Sequence, residues 1–289
     1  MRAVVMISIF FTFSCCAKSR SSRLPFEGEE KHAKMILIPA GEFIFGCNSD
    51  KCSEDDPKFK NVFLDEYYID KTEVTVEQYL SFYYYRPKEP VVIIESIGVG
   101  PSRCNLPAFL SMNLESRLHH PMNCINWNTA QNFCRWKGKR LPTEQEWEKA
   151  ARGTDGRQYP WGDSEPDCNK AVFKDLCFFY SFKGKQKHKR LMTKPVCSTP
   201  EGKSPFGLCD TMGNVEEWVL SRRNEKPEDI HIAKGGSFAD SMKLKDEEKK
   251  VWSRTGSVDR PFSGSGFRCA WSKNEYNLNL LEDDEEDKK

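Results

Sequence analysis

Twelve cysteines in 289 residues constrain this chain more than any other feature of its sequence. That is many for a cytosolic protein and suits an oxidising compartment, where paired thiols staple loop-rich chains that bury modest cores. The start of the chain agrees with export. Arg2 precedes an apolar run, Ala3 to Phe13, and then Ser14-Cys15-Cys16. This is a short n-region and h-region, too short to span a bilayer.

A cysteine directly after an h-region resembles a bacterial lipobox, in which the thiol is lipidated and becomes the first mature residue. Either Cys15 or Cys16 can be the anchor. The apolar Phe13 three residues ahead favours Cys16, and cutting there leaves an even number of cysteines for pairing. The other reading is an ordinary secretory signal cut near Ala17. The expected location is a bacterial envelope, with the membrane reached through a lipid anchor. Residues 1–16 are then the signal, 17–34 a polar tether, 35–273 one domain and 274–289 an acidic disordered tail. Lys+Arg 44 against Asp+Glu 43 gives a net charge of +1, so no global field draws the chain to nucleic acid.

Met35–Ile38 and Glu42–Gly46 are short apolar runs around Pro39-Ala40-Gly41 and predict a first hairpin. Val62 to Asp70 reads as one aromatic-rich strand. Thr75-Val-Glu-Gln78 predicts a capping box, with Tyr79, Leu80, Phe82 and Tyr83 as the buried helix face. Residues 87–120 form an insertion in which Val91–Ile97 reads as an extra strand. Its adjacent histidines, His119 and His120, are expected as a satisfied or solvated pair. Asn128 or Thr129 caps a helix through Trp136. Thr143-Glu-Gln-Glu146 is a second capping box, with Trp147, Ala150 and Ala151 facing inward. The basic run from Lys183 to Arg190 is expected as a solvated loop.

Asp210 to Trp218, D-T-M-G-N-V-E-E-W, sets the carboxylates of Asp210 and Glu217 around a glycine and an amide. Hard cations such as calcium take mixed oxygens of this kind, from carboxylates and carbonyls together. The plain alternative is a tight turn followed by an edge strand with a solvated Glu216-Glu217 pair.

The pattern G-L-x-D-x-x-G-N-V-x-E-W resembles the signature of the formylglycine-generating enzyme (sulfatase-modifying factor) family. Other stretches match in the same order: Met35 to Gly46, Glu73-Val74-Thr75, Pro121 to Trp127, Gly138 to Trp147, Tyr159 to Gly162, Lys234 to Ser237 and Gly266 to Cys269. A string of motifs in order is more specific than any one of them. The resemblance implies an α+β fold: a single formylglycine-generating-enzyme-type domain, C-type-lectin-related, loop-rich and disulfide-stapled.

Active members oxidise a client cysteine to formylglycine with oxygen and a copper ion on two cysteines. Soft thiolates hold Cu(I), yet the interval from Phe238 to Ser265 has no cysteine, and the aligned positions are Asp240 and Lys245. No copper is expected. A disulfide of some members is also missing, its positions being Ala151 and Lys250. Ser237 and Arg268 match pocket residues. The resemblance places Cys134 with Cys269, while proximity pairs Cys47 with Cys52, Cys104 with Cys124, Cys168 with Cys177 and Cys197 with Cys209. It also implies one calcium ion, with side-chain oxygens from Asp210 and Glu217 and carbonyls from Gly213 and Val215. A second calcium loop keeps only its first ligand, Asn169. Other enzymes of this fold use an iron–histidine cluster, but none of the five histidines shows H-x-x-x-H spacing. The expectation is a non-catalytic, calcium-stabilised binding or scaffold lipoprotein whose partner is an envelope protein or glycan. The alternative is an oxidoreductase that modifies a client protein through a divergent site.

Overall fold

The computed structural model describes residues 35–47, 52, 57–85, 104–105, 114–177, 192–222, 230–244, 247–248, 250–251, 253–258 and 263–272. All of them belong to one compact unit, Lys34–Lys289. The signal and lipobox cysteines, the tether, Val91–Ile97, the run from Lys183 to Arg190, Lys245 and the acidic tail lie outside the described residues.

The first two runs are strands, β1 (Met35–Ile38) and β2 (Gly41–Phe45), but they do not pair with each other. β1 pairs with β4 (Tyr67–Asp70), and β2 with β3 (Lys60–Leu64), all antiparallel. Ile38 faces Tyr67 and, three positions on, Gly41 faces Leu64. One register therefore runs through both pairs, and the expected hairpin is half of a single long bent ribbon. The expected strand from Val62 to Asp70 is split at the same place. Ile38 and Phe43 are both buried although they are an odd number of residues apart, so the inward face changes over between them. Lys149 fixes that bend: its Nζ donates to the carbonyls of Pro39 and Gly41 at 2.8 Å and 2.9 Å.

β4 is also paired with β11 (Ala270–Trp271), so the order β1-β4-β11 brings the two ends of the domain into one sheet. A second sheet has the order β10-β5-β6-β9, formed by Ser265–Gly266, Glu216–Arg222, Ile230–Lys234 and Arg254–Val258. Only its β10–β5 pair is parallel. A short β7–β8 pair, Lys243–Leu244 with Glu247–Glu248, stands apart.

Helices pack against these sheets. In α1 (Val76–Tyr85) the predicted capping box forms, with Thr75 N–H on Gln78 Oε1 and Gln78 N–H on Thr75 Oγ1. Tyr79 and Phe82 are buried as expected, but Tyr83, in the last turn of the helix, is exposed. Tyr79, Phe82 and Phe133 make a cluster of rings that joins α1 to α2 (Trp127–Trp136). The cap of α2 is Asn126 and not Asn128 or Thr129: its side chain accepts from the Thr129 N–H.

α3 (Glu144–Arg152) opens on the predicted Thr143/Glu146 box and stops at Gly153, whose φ is 78°. It buries far more than Trp147, Ala150 and Ala151. Glu148 is 0% exposed and binds Arg152 and Lys234, both also 0% exposed. Lys234 also reaches Glu144, and the Gly46 N–H reaches Glu148. Glu144, Glu148, Arg152 and Lys234 thus pair with one another, which is the condition on which buried charges are tolerated.

The cysteines join as Cys47–Cys52, Cys104–Cys124, Cys134–Cys269, Cys168–Cys177 and Cys197–Cys209. Cys134–Cys269 spans 135 residues and ties α2 to the entry of β11.

Candidate functional site

The stretch from Asp210 to Trp218 is a turn that feeds β5, as the plain reading expects, but its acids are not solvated. Asp210, Glu216 and Glu217 are all buried. Asp210, Gly213 and Asn214 have φ of 57°, 78° and 61°, a left-handed winding that glycine takes freely and Asn and Asp take at modest cost. The winding exposes backbone groups sideways. Gly213 N–H donates to Gly235 O, Asn214 N–H to Val172 O, and Asn214 O accepts from Phe238 N–H. The turn thus locks the loop before α4 (Lys174–Cys177) to the Gly235–Phe238 segment.

Its side chains bind distant motifs together. Asp210 accepts from Cys197 N–H at 2.5 Å and Thr199 Oγ1–H at 2.9 Å. Asn214 Nδ2 donates to Glu73 Oε2 at 2.8 Å, and Val215 N–H to Glu73 Oε1 at 3.1 Å. Glu217 accepts from Trp147 Nε1–H at 2.8 Å and from Arg268 through Nε at 2.6 Å and a terminal nitrogen at 2.7 Å. Arg268 is 0% exposed, and its remaining donors go to the carbonyls of Asp70, Lys71 and Cys209.

Burial holds the Glu73 carboxyl well above the usual carboxylate range, and the charges of Asp210 and Glu217 push it the same way. Burial likewise raises Asp210, against the opposing hydrogen bonds from Cys197 and Thr199. Glu73 is a site residue that the sequence offered only as part of a quoted motif. Its signal was the E-V-T triplet, and nothing in that triplet announces a partner 141 residues away.

These contacts test the calcium expectation. Both oxygens of Asp210 and both of Glu217 already accept from protein donors, and the two carboxylates face different partners. A calcium ion on Glu217 would have to share it with a guanidinium, and like charges at that range disfavour each other in a buried site. The residues present do not fit calcium in the expected way. Asn169 is exposed, and its N–H donates to Asp167 Oδ1.

The Ser237–Asp240 segment is a closed turn. Asp240 Oδ2 accepts from Ser237 N–H at 2.8 Å and Ser237 Oγ–H at 2.9 Å, while Asp240 O accepts from Lys174 N–H. Ser237 is 0% exposed. Ser237 and Arg268 are thus both enclosed, Ser237 bonded to the Asp240 carboxylate and Arg268 to Glu217 and three carbonyls. Lys250 donates to Tyr159 Oη at 2.7 Å and lies 4.4 Å from the ring centroid, while Ala151 is buried. The histidine pair divides: His119 is exposed, and His120 is buried against Thr193 Oγ1 at 2.8 Å. Burial, with Arg117 and His119 adding to it, pulls His120 down to about 4. An open cleft of about 320 Å³ lies away from the turn, between Pro39, Glu42, Lys149, Asp155, Arg157 and Phe206.

Comparisons agree with this architecture. Residues 21–273 match the model of the sulfatase-modifying factor enzyme 1-like domain. The chain is 27% identical over 274 residues to the protein named inactive C-alpha-formylglycine-generating enzyme 2 of Bos taurus, covering 84% of this chain and 89% of that one. It is 25% identical over 295 residues to the formylglycine-generating enzyme of Thermomonospora curvata, covering 86% and 96%. Among solved structures it resembles PvdO from Pseudomonas aeruginosa at a TM-score of 0.60 and 21% identity, covering 82% of this chain and 93% of that one. CarF gives a TM-score of 0.59, also at 21% identity, covering 82% and 97%. At those identities the two structures speak to the fold alone.

Proposed function

We propose, from the premise that this chain belongs to the sulfatase-modifying factor enzyme 1-like domain family, that it is a binding or scaffold protein that keeps the fold without the family's copper oxidation. One observation carries the reading. At Asp240, where active members present a copper thiolate, a carboxylate is turned back onto the N–H and hydroxyl of Ser237. The interval from Phe238 to Ser265 contains no cysteine. A hard, internally bonded carboxylate cannot stand in for a soft thiolate pair. Likeness to a relative named inactive supports the same reading.

Export and anchoring belong to this proposal. The apolar run ahead of Cys15 and Cys16 supports them, as do ten cysteines joined in five bonds. The ligand class is an envelope protein or a glycan, by analogy with lectin-like modules of this fold. Calcium has no part in the reading, since Arg268 already neutralises Glu217.

The test uses the purified chain with copper, oxygen and a peptide that carries the sulfatase C-x-P-x-R motif, read by mass spectrometry. The expected result is an unchanged thiol mass. Loss of the thiol with gain of an aldehyde would overturn the proposal. Membrane release of a Cys16→Ala variant, with Cys15→Ala beside it, tests the anchor separately.

A further inference from the structure

The five disulfides have different surroundings. Cys134 and Cys269 are both fully buried, and Cys47, Cys124 and Cys209 bury one side of three others. Cys168–Cys177 is the bond in which neither residue is buried. It closes a sequence separation of 9, against 135 for Cys134–Cys269, so opening it releases the least restraint of the two on the chain.

A cation stands on one of its sulfurs. Lys194 Nζ lies 3.4 Å from Cys168 Sγ and 3.4 Å from Cys168 O. The lysine is itself positioned from the acidic turn. Its N–H donates to Asn214 Oδ1 at 2.9 Å, and its carbonyl accepts from Asn214 Nδ2 at 3.3 Å. On the other side Cys177 ends α4, whose Lys174 N–H holds Asp240 O. The bond therefore bridges the loop beside the Gly213 turn to the helix that supports the Ser237–Asp240 turn.

We propose that Cys168–Cys177 is a thiol-exchangeable disulfide that oxidises a dithiol client, and that Lys194 is the positioning residue for the step. Exchange runs faster when the departing sulfur is a stabilised thiolate, and an adjacent ammonium provides that. This fixes the direction. A client thiolate attacks Cys177 Sγ, the S–S bond breaks, and Cys168 leaves with the electron pair as a thiolate against Lys194. The client's second thiolate then attacks its own sulfur in the mixed disulfide and releases Cys177, which takes up a proton. The client gains one disulfide, and this chain holds a dithiol carrying the two electrons. A small oxidised disulfide such as oxidised glutathione resets the pair by the reverse exchange. No copper enters, so this activity is separate from the aldehyde chemistry of active relatives.

The full chain is equilibrated in buffers of reduced and oxidised glutathione, alkylated, and mapped by peptide mass spectrometry. Cys168 and Cys177 are expected to label at the mildest reducing ratio, with the other four bonds closed. If Cys47–Cys52 opens first or together with them, the proposal falls. With Cys168→Ser, a mixed disulfide should form on Cys177; failure of Cys177 to accept glutathione contradicts the direction of attack. Lys194→Met should slow opening about three- to tenfold and Lys194→Arg should restore it. An unchanged rate in Lys194→Met removes the lysine from the mechanism.

Discussion

Arg268 clasps Glu217 through two nitrogens, at 2.6 Å and 2.7 Å, and gives its remaining donors to the carbonyls of Asp70, Lys71 and Cys209. Both side chains are almost fully enclosed. The pair therefore acts as a rivet between the end of β4, the segment before the acidic turn and the start of β5.

Removing the arginine leaves Glu217 charged, buried and bonded to Trp147 alone. Arg268→Met is expected to destabilise the domain by about 3–5 kcal/mol. Adding Glu217→Gln should recover part of that loss, because the orphaned charge goes with it. Urea unfolding of the two single variants and the double variant measures the coupling. Simple addition of the single effects would show that the pair is not a unit.

The same contact bears on calcium. The melting temperature of the wild-type domain is expected to be the same in EDTA and in excess calcium. A calcium-dependent rise in wild type that vanishes in Glu217→Gln would return Glu217 to the role of ligand.

Gly213 sits at φ 78°, and a Cβ there would lie 2.7 Å from Val172 O and 2.8 Å from the Phe173 ring. Gly213→Ala is expected to cost about 2–3 kcal/mol, from the left-handed backbone and the displaced carbonyl together. Because Asn214 N–H bonds Val172 O, hydrogen exchange at Asn214 should rise as well. Protection equal to wild type would mean that the turn re-forms around the methyl group.

Acid should weaken the fold through His120. Burial pulls its folded form down to about 4, below the ordinary 6.5, so the unfolded chain takes the proton first. The stability it contributes is complete above 6.5 and is lost as pH falls toward 4. Glu73 opposes this: its folded carboxyl is held above 4.5, so its share is lost as pH rises past that value. His120→Asn should shrink the difference in melting temperature between pH 7 and pH 4.5. An undiminished difference would place the acid sensitivity elsewhere.

Stapling across the domain should show as a large single effect. Cys134→Ala with Cys269→Ala is expected to lower stability by about 4–5 kcal/mol, since the bond closes a very long loop. Removing Cys168–Cys177 in the same way should cost less. Equal losses would contradict the entropic account.

Local features were legible in the sequence because local chemistry determines them. The Thr75 and Thr143 boxes follow from hydrogen bonds within one helical turn. Long-range partners were not. Met35–Phe45 looks like two strands and a turn, and only Lys60–Asp70 shows that both strands share one register. Glu144, Glu148 and Arg152 recur every fourth residue, which marks one helix face, but their burial becomes visible only once Lys234 meets them. Arg268 could be recognised as a conspicuous residue of a motif; that all its donors point inward depends on three segments meeting around it.

The sheet order β1-β4-β11 also has a mechanical meaning. β1 and β11 run in the same direction, each antiparallel to β4, and Leu37 and Trp271 share Tyr68 as their neighbour. Tension between the chain entering at Met35 and the chain leaving at Trp271 thus loads the hydrogen bonds of β4 in shear, many at once, rather than peeling them in sequence. Cys269 is joined to α2 immediately before β11, so the covalent bond takes the pull before it reaches the acidic turn.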